Sequence, residues 1–88
     1  MESQPLIIGR ARAHGVSDED MLYVWRNPMT IHYLETGESP MWVAVGLRSG
    51  GAYPYLEVGV IQGDDDGRLL VIHAMQARPK YLPQPPNR

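Results

Sequence analysis

Between Met29 and Met75 the chain breaks into four short β-type runs separated by turn-forming clusters, and this pattern restricts the fold more than anything else in it. The runs are Met29 to Glu35, Met41 to Leu47, Tyr55 to Gln62 and Leu69 to Met75, each rich in Val, Ile, Leu, Tyr or Trp. Between them lie Thr36-Gly37-Glu38-Ser39-Pro40, Arg48-Ser49-Gly50-Gly51-Ala52 and Gly63-Asp64-Asp65-Asp66-Gly67. Parallel neighbours need a crossover of about a dozen residues or more, so connections this short predict an antiparallel meander.

The segment before the strands reads as helical. Pro5 to His14 has proline near its start and Gly15 just past its end, the usual asymmetry of a short helix. Ser17 then suits an N-cap, with Asp18, Glu19 and Asp20 in the first turn, where acids meet the positive end of the helix dipole. Met21, Leu22, Val24 and Trp25 give that second helix an apolar side, and Asn27-Pro28 ends it. The expectation is an α+β fold, with two short N-terminal helices packed on one face of a four-stranded antiparallel sheet. Residues 1–82 form one domain in this reading, and the proline-rich tail, residues 83–88, is expected to be disordered.

Composition narrows the function classes. With no cysteine, the 88 residues have no disulfide or thiolate metal site, which fits a reducing cytoplasm. The first residues lack the basic and apolar parts of a signal peptide, and no apolar run nears the ~18 residues of a membrane span. A soluble, cytoplasmic protein without membrane contact is therefore expected. The net charge of −2 counts against a dedicated nucleic-acid binder. Yet the acids cluster at Asp18-Glu19-Asp20 and Asp64-Asp65-Asp66, and none follows Asp66, which leaves Arg78 and Lys80 locally uncompensated.

Strand alternation places the candidate site. If the aliphatic rows (Leu56, Val58, Val60; Leu70, Ile72, Ala74; Val43, Val45, Leu47) all face the helices, then Glu57, His73, Trp42 and His32 share the uncovered face. Arg48 and Tyr55 fall in the same rows, and Ala44, Gly46 and Gly59 keep that face shallow. A one-residue slip would reverse any strand's assignment.

The corner His14-Gly15-Val16-Ser17 resembles the “KHGVS” corner of BrnT-like toxins, of the RelE superfamily of toxin–antitoxin ribonucleases. Together with Leu56-Glu57-Val58-Gly59-Val60 and Val71-Ile72-His73-Ala74-Met75-Gln76-Ala77-Arg78-Pro79-Lys80-Tyr81-Leu82, it is similar to a group of small actinobacterial toxin-like proteins. The likeness spans about residues 6–82. It differs in having Ala13 where the corner carries lysine, and a proline-rich tail where a helix follows the sheet. The resemblance implies a metal-independent endoribonuclease with a cognate antitoxin protein as partner, and it matches Glu57, His73, Arg78 and Lys80 to the site.

The chemistry of those residues agrees. Cleavage through a ribose 2′-hydroxyl needs a base, an acid and positive charge around the phosphorane. Glu57 or His73 serves as base and the other as acid, while Arg78 and Lys80 hold the phosphate; imidazole changes charge near neutral pH. Trp42 and Tyr55 offer stacking surfaces for bases, with His32 and Arg48 beside them. The competing reading is structural: His73 a half-buried strand residue, Arg78 and Lys80 solvated, and the open face a homodimer or partner-binding surface. No cofactor or metal is expected. His32, His73 and Glu57 lack ligand spacing, and aligning Gly67 with a calcium loop's glycine puts His73 where a bidentate Glu belongs.

Overall fold

The computed structural model describes residues 4–36, 39–47, 55–63 and 67–82. Strand β1 (Leu6–Ile7) is followed by a 3-10 turn (Gly9–Arg12) and helix α1 (Asp18–Arg26). Strands β2 (Thr30–Thr36), β3 (Ser39–Leu47), β4 (Tyr55–Gln62) and β5 (Leu69–Gln76) come next, and a second 3-10 turn (Pro79–Tyr81) closes the described chain. The fold is α+β, with one helix and a five-stranded mixed sheet in the order β1-β5-β4-β3-β2.

Helix α1 starts and stops where its capping residues dictate. The Ser17 hydroxyl accepts the Asp20 backbone N–H at 3.1 Å, and the Asn27 N–H closes onto the Tyr23 carbonyl ahead of Pro28. The helix expected over Pro5 to His14 does not form. Leu6 and Ile7 instead pair in parallel with Leu70 and Val71, and the Ile8 N–H continues the ladder to the Val71 carbonyl. The β-branched pair Ile7-Ile8 favours this extended edge, and Gly9 weakens any helix passing through it. Only Gly9–Arg12 coils, with Ala11 buried beneath it. The sheet therefore gains a fifth, parallel strand beyond the four-stranded meander, whose consecutive strands are all antiparallel.

Two apolar clusters lie on opposite faces of the sheet. On one, Met21 and Val24 of α1 meet Ala44, Leu56, Val58, Val60, Val71 and Ala74. On the other, Val43 and Val45 of β3 pack with Ala77 and Tyr81 from the segment after β5. The expected rows are thus corrected twice. On β3 the valine row turns away from the helix, and Trp42, Ala44 and Gly46 turn toward it. Register decides this, since Val45 stands opposite Glu57 and Ala44 opposite Val58. On β5 a bulge intervenes: Gly59 pairs with His73 but Val60 with Val71, so Ile72 is skipped and Val71 joins Ala74 on the helix face.

The face away from the helix is not left open either. After β5 the chain turns back across it, tied by the Ala77 N–H to the Tyr55 carbonyl at 3.0 Å, and buries Ala77 and Tyr81. The most exposed large apolar side chains among the described residues are Ile31 and Tyr33 on β2, each 53% exposed. The tail, residues 83–88, lies outside the described residues. Among those described, no helix is long and apolar enough to cross a membrane.

Candidate functional site

Glu57 organises the face that the closing segment covers. Its side chain is fully buried, the one charged residue so placed among the described residues. A buried carboxylate requires compensation, and here donors surround it. The Arg78 backbone N–H reaches Oε1 at 2.8 Å, and Arg78 Nε is shared between Oε1 and Oε2 at 3.1 Å each. Arg78 Nη2 reaches Oε2 at 2.7 Å, and His73 Nε2 reaches the same oxygen at 2.8 Å. Burial alone would raise the Glu57 pKa. The Arg78 side chain, the Arg78 backbone N–H and His73 overcome that and hold it below the ordinary carboxylate range. The same carboxylate raises Arg78 further above its ordinary value.

This network orients His73. An ionised carboxylate can only accept, so Nε2 donates to Oε2 and Nδ1 is the ring nitrogen left to face an incoming molecule. The His73 side chain is 28% exposed and that of Arg78 43%, whereas that of Glu57 is sealed. Glu57 is thus placed to orient its two neighbours and not to touch a molecule arriving from solvent.

Tyr81 extends the cluster. Its buried ring lies 5.1 Å from that of His32, with the Lys80 ammonium at 5.1 Å and the Arg78 guanidinium at 5.5 Å from its centroid. The expected residues therefore fall into groups. Glu57, His73 and Arg78 form one hydrogen-bonded unit, while Lys80 and His32 join it through Tyr81. Tyr55 packs on the same face. Trp42 does not belong, because register turns it to the other face, against Tyr33 at 5.6 Å. Arg48 lies outside the described residues. Ala44 and Gly46 likewise sit under the helix rather than flooring the site; Gly59, opposite His73, is where it was expected.

Two residues escape the strand-row reading. Tyr81 lies beyond the last strand, where alternation has nothing to say. His14, in the corner before α1, sets its ring edge-on to His73, with centroids 6.1 Å apart and planes at 78°. The corner motif flagged His14 as a resemblance, but nothing in the spacing of residues 14 and 73 signals their meeting. Among the described residues, no group of three His, Asp or Glu side chains is arranged to hold a metal ion. Comparison with family models, with curated proteins and with solved structures gave no match.

Proposed function

We propose that this chain is an RNA-cleaving domain of the toxin type, with His73 as the base that takes the 2′-hydroxyl proton. The observation that carries this reading is the bond from His73 Nε2 to the sealed Glu57 carboxylate. A carboxylate that fixes an imidazole's tautomer and steadies its protonated form is the standard device for making histidine a directed base. Arg78, anchored by the same carboxylate yet 43% exposed, and Lys80, exposed on the next turn, supply positive charge for a phosphate. Glu57 acts here as a positioning residue. The similarity to BrnT-like toxins supports the same substrate class and a protein antitoxin as partner, and the soluble, cytoplasmic setting expected from composition fits an RNA target.

The test is cleavage of RNA by the purified protein, with and without ribosomes. His73→Ala is expected to lower the rate by about 10²-fold or more, the usual contribution of a positioned proton-transfer group. Intact RNA with wild-type protein in both settings would overturn the reading.

A second reading, a non-catalytic interaction or homodimerisation domain, draws on β2. This edge strand exposes Ile31 and Tyr33 beside Trp42, and no strand pairs with its outer side among the described residues. On that reading Tyr33→Arg abolishes association measured by sedimentation, while His73→Ala changes nothing.

A further inference from the structure

We infer that His14 is a second catalytic residue of this site, the general acid that protonates the leaving oxygen as His73 removes the 2′-proton. The inference rests on the RNA-cleaving reading and deepens it.

The geometry begins at the edge of the sheet. β1 pairs with β5 only at Leu70 and Val71, so beyond them the outer side of β5 has no strand beside it among the described residues. The chain from the 3-10 turn to α1 runs past this gap and brings His14 to His73. Its corner is braced at several points. Gly15 takes a positive φ of 77°, which an L side chain rarely tolerates, and its N–H bonds the Arg12 carbonyl at 3.1 Å. Val16 is buried in the helix-face core, and Ser17 caps α1. Arg12 clasps Asp18 through two parallel bonds of 2.8 Å, closing the loop on both sides of His14. Both partners are 48% exposed, so this pair adds little to stability. Its two-point geometry fixes the corner.

The result is two imidazoles with different surroundings. His73 is pinned through Nε2 by Glu57, whereas the exposed His14 meets His73 edge-on, with ring centroids 6.1 Å apart. At that separation, hydrogen bonds of about 2.6–3.2 Å from the two rings can reach one phosphoryl group from different sides. Ionisable groups on the elements around the pair include Tyr55 and Glu57 on β4, Arg78, Lys80 and Tyr81 in the closing segment, and Arg10, Arg12 and Asp18 at the corner.

The step balances without a further reactant. The 2′-hydroxyl proton passes to His73 Nδ1, the O2′–P bond forms and the P–O5′ bond breaks. The departing O5′ takes a proton from the His14 imidazolium. The products are a 2′,3′-cyclic phosphate and a 5′-hydroxyl, and exchange with solvent resets both rings.

The experiment compares wild type, His14→Gln and His73→Gln on an oligoribonucleotide, with pH–rate profiles. It repeats the measurement on the same sequence carrying a 5′-bridging sulfur at the cleaved linkage. A thiolate leaves without a proton, so it bypasses the acid and not the base. The expected result is a loss of about 10²-fold or more for His14→Gln on normal RNA, with the alkaline limb of its profile gone. Most of that loss returns on the sulfur substrate, while His73→Gln is not rescued. Unchanged thermal melting of His14→Gln confirms its fold. If wild type cleaves RNA but His14→Gln does so at the same rate, or is slow on both substrates, His14 is not the acid and only the nuclease reading stands. If wild type cleaves neither substrate, both fall.

Discussion

The two faces of this sheet are built on opposite principles. The centre of the helix face is closed by apolar side chains: Met21 and Val24 against Leu56, Val58, Val60 and Val71, all essentially without solvent contact. The other face, one residue along the same strands, buries a carboxylate and closes with a short turn whose anchor is an arginine. Dispersion and the hydrophobic effect tolerate exchange of one aliphatic group for another of similar volume. A buried ionic network does not, because each member leaves an uncompensated partner when it is removed. The first face can therefore hold the fold while the second holds a geometry.

The largest expected effect lies on the helix face. Leu56→Ala empties a fully enclosed position and should cost about 2–5 kcal/mol in denaturant unfolding. Because no titrating group is involved, the cost should be the same at pH 7 and pH 4. A cost that varied with pH would show that the two faces are not separable.

Arg78→Ala ranks next and should behave differently. Breaking a buried pair typically costs ~3–5 kcal/mol, but at 43% exposure water reaches the vacated place, which discounts the loss to roughly 1–3 kcal/mol. Its signature is its pH dependence. Glu57 has a lowered pKa in the folded protein, so between that value and the ordinary carboxylate pKa the unfolded chain binds more protons. The stabilisation is complete above the ordinary carboxylate range and is lost as pH falls through the folded value. Acid titration of wild-type stability should show this loss, and Arg78→Ala should show less of it. Equal acid sensitivity in both proteins would mean that Arg78 does not hold Glu57 ionised.

The same contrast explains what can be read from the chain. Ser17, the acids after it and Asn27-Pro28 announce α1 because capping is a local interaction. The turn clusters announce β2 to β5 because a short connection leaves one way to pair. The company of Glu57 and His73 was also legible, since both strands alternate cleanly up to Gly59. What failed was non-local. Leu6 and Ile7 become a strand only because β5, more than sixty residues away, offers an edge. The face taken by Trp42 is not legible because β3 has apolar residues in both rows, Val43 and Val45 against Trp42 and Ala44, so polarity does not choose between faces. Nothing in a single strand's pattern foretells the bulge at Ile72 or the fold-back that brings Arg78 onto Glu57.

Two glycines give the finest division between the faces. A methyl group at Gly46 would stand 3.2 Å from the Asn27 carbonyl oxygen and 3.3 Å from a Val24 methyl, both fixed by the end of α1. Overpacking costs roughly 1–3 kcal/mol, and the lower entropy of the unfolded alanine chain returns ~0.4–1, so Gly46→Ala should lose about 1 kcal/mol. At Gly59 the nearest atom is the Met41 sulfur at 3.1 Å, the far part of a side chain that can rotate away, followed by His73 Cβ at 3.3 Å. Here strain and entropy should nearly cancel, leaving a change within about 0.5 kcal/mol. The added methyl presses on His73, however, and the imidazole that Glu57 orients has to yield with it. Gly59→Ala should therefore shift the His73 ring resonances in ¹H–¹⁵N spectra with melting unchanged, and Gly46→Ala should lower melting with those resonances in place. Resonances that stay fixed in Gly59→Ala would mean that the site's geometry is set by Glu57 alone and not by the strand that faces it.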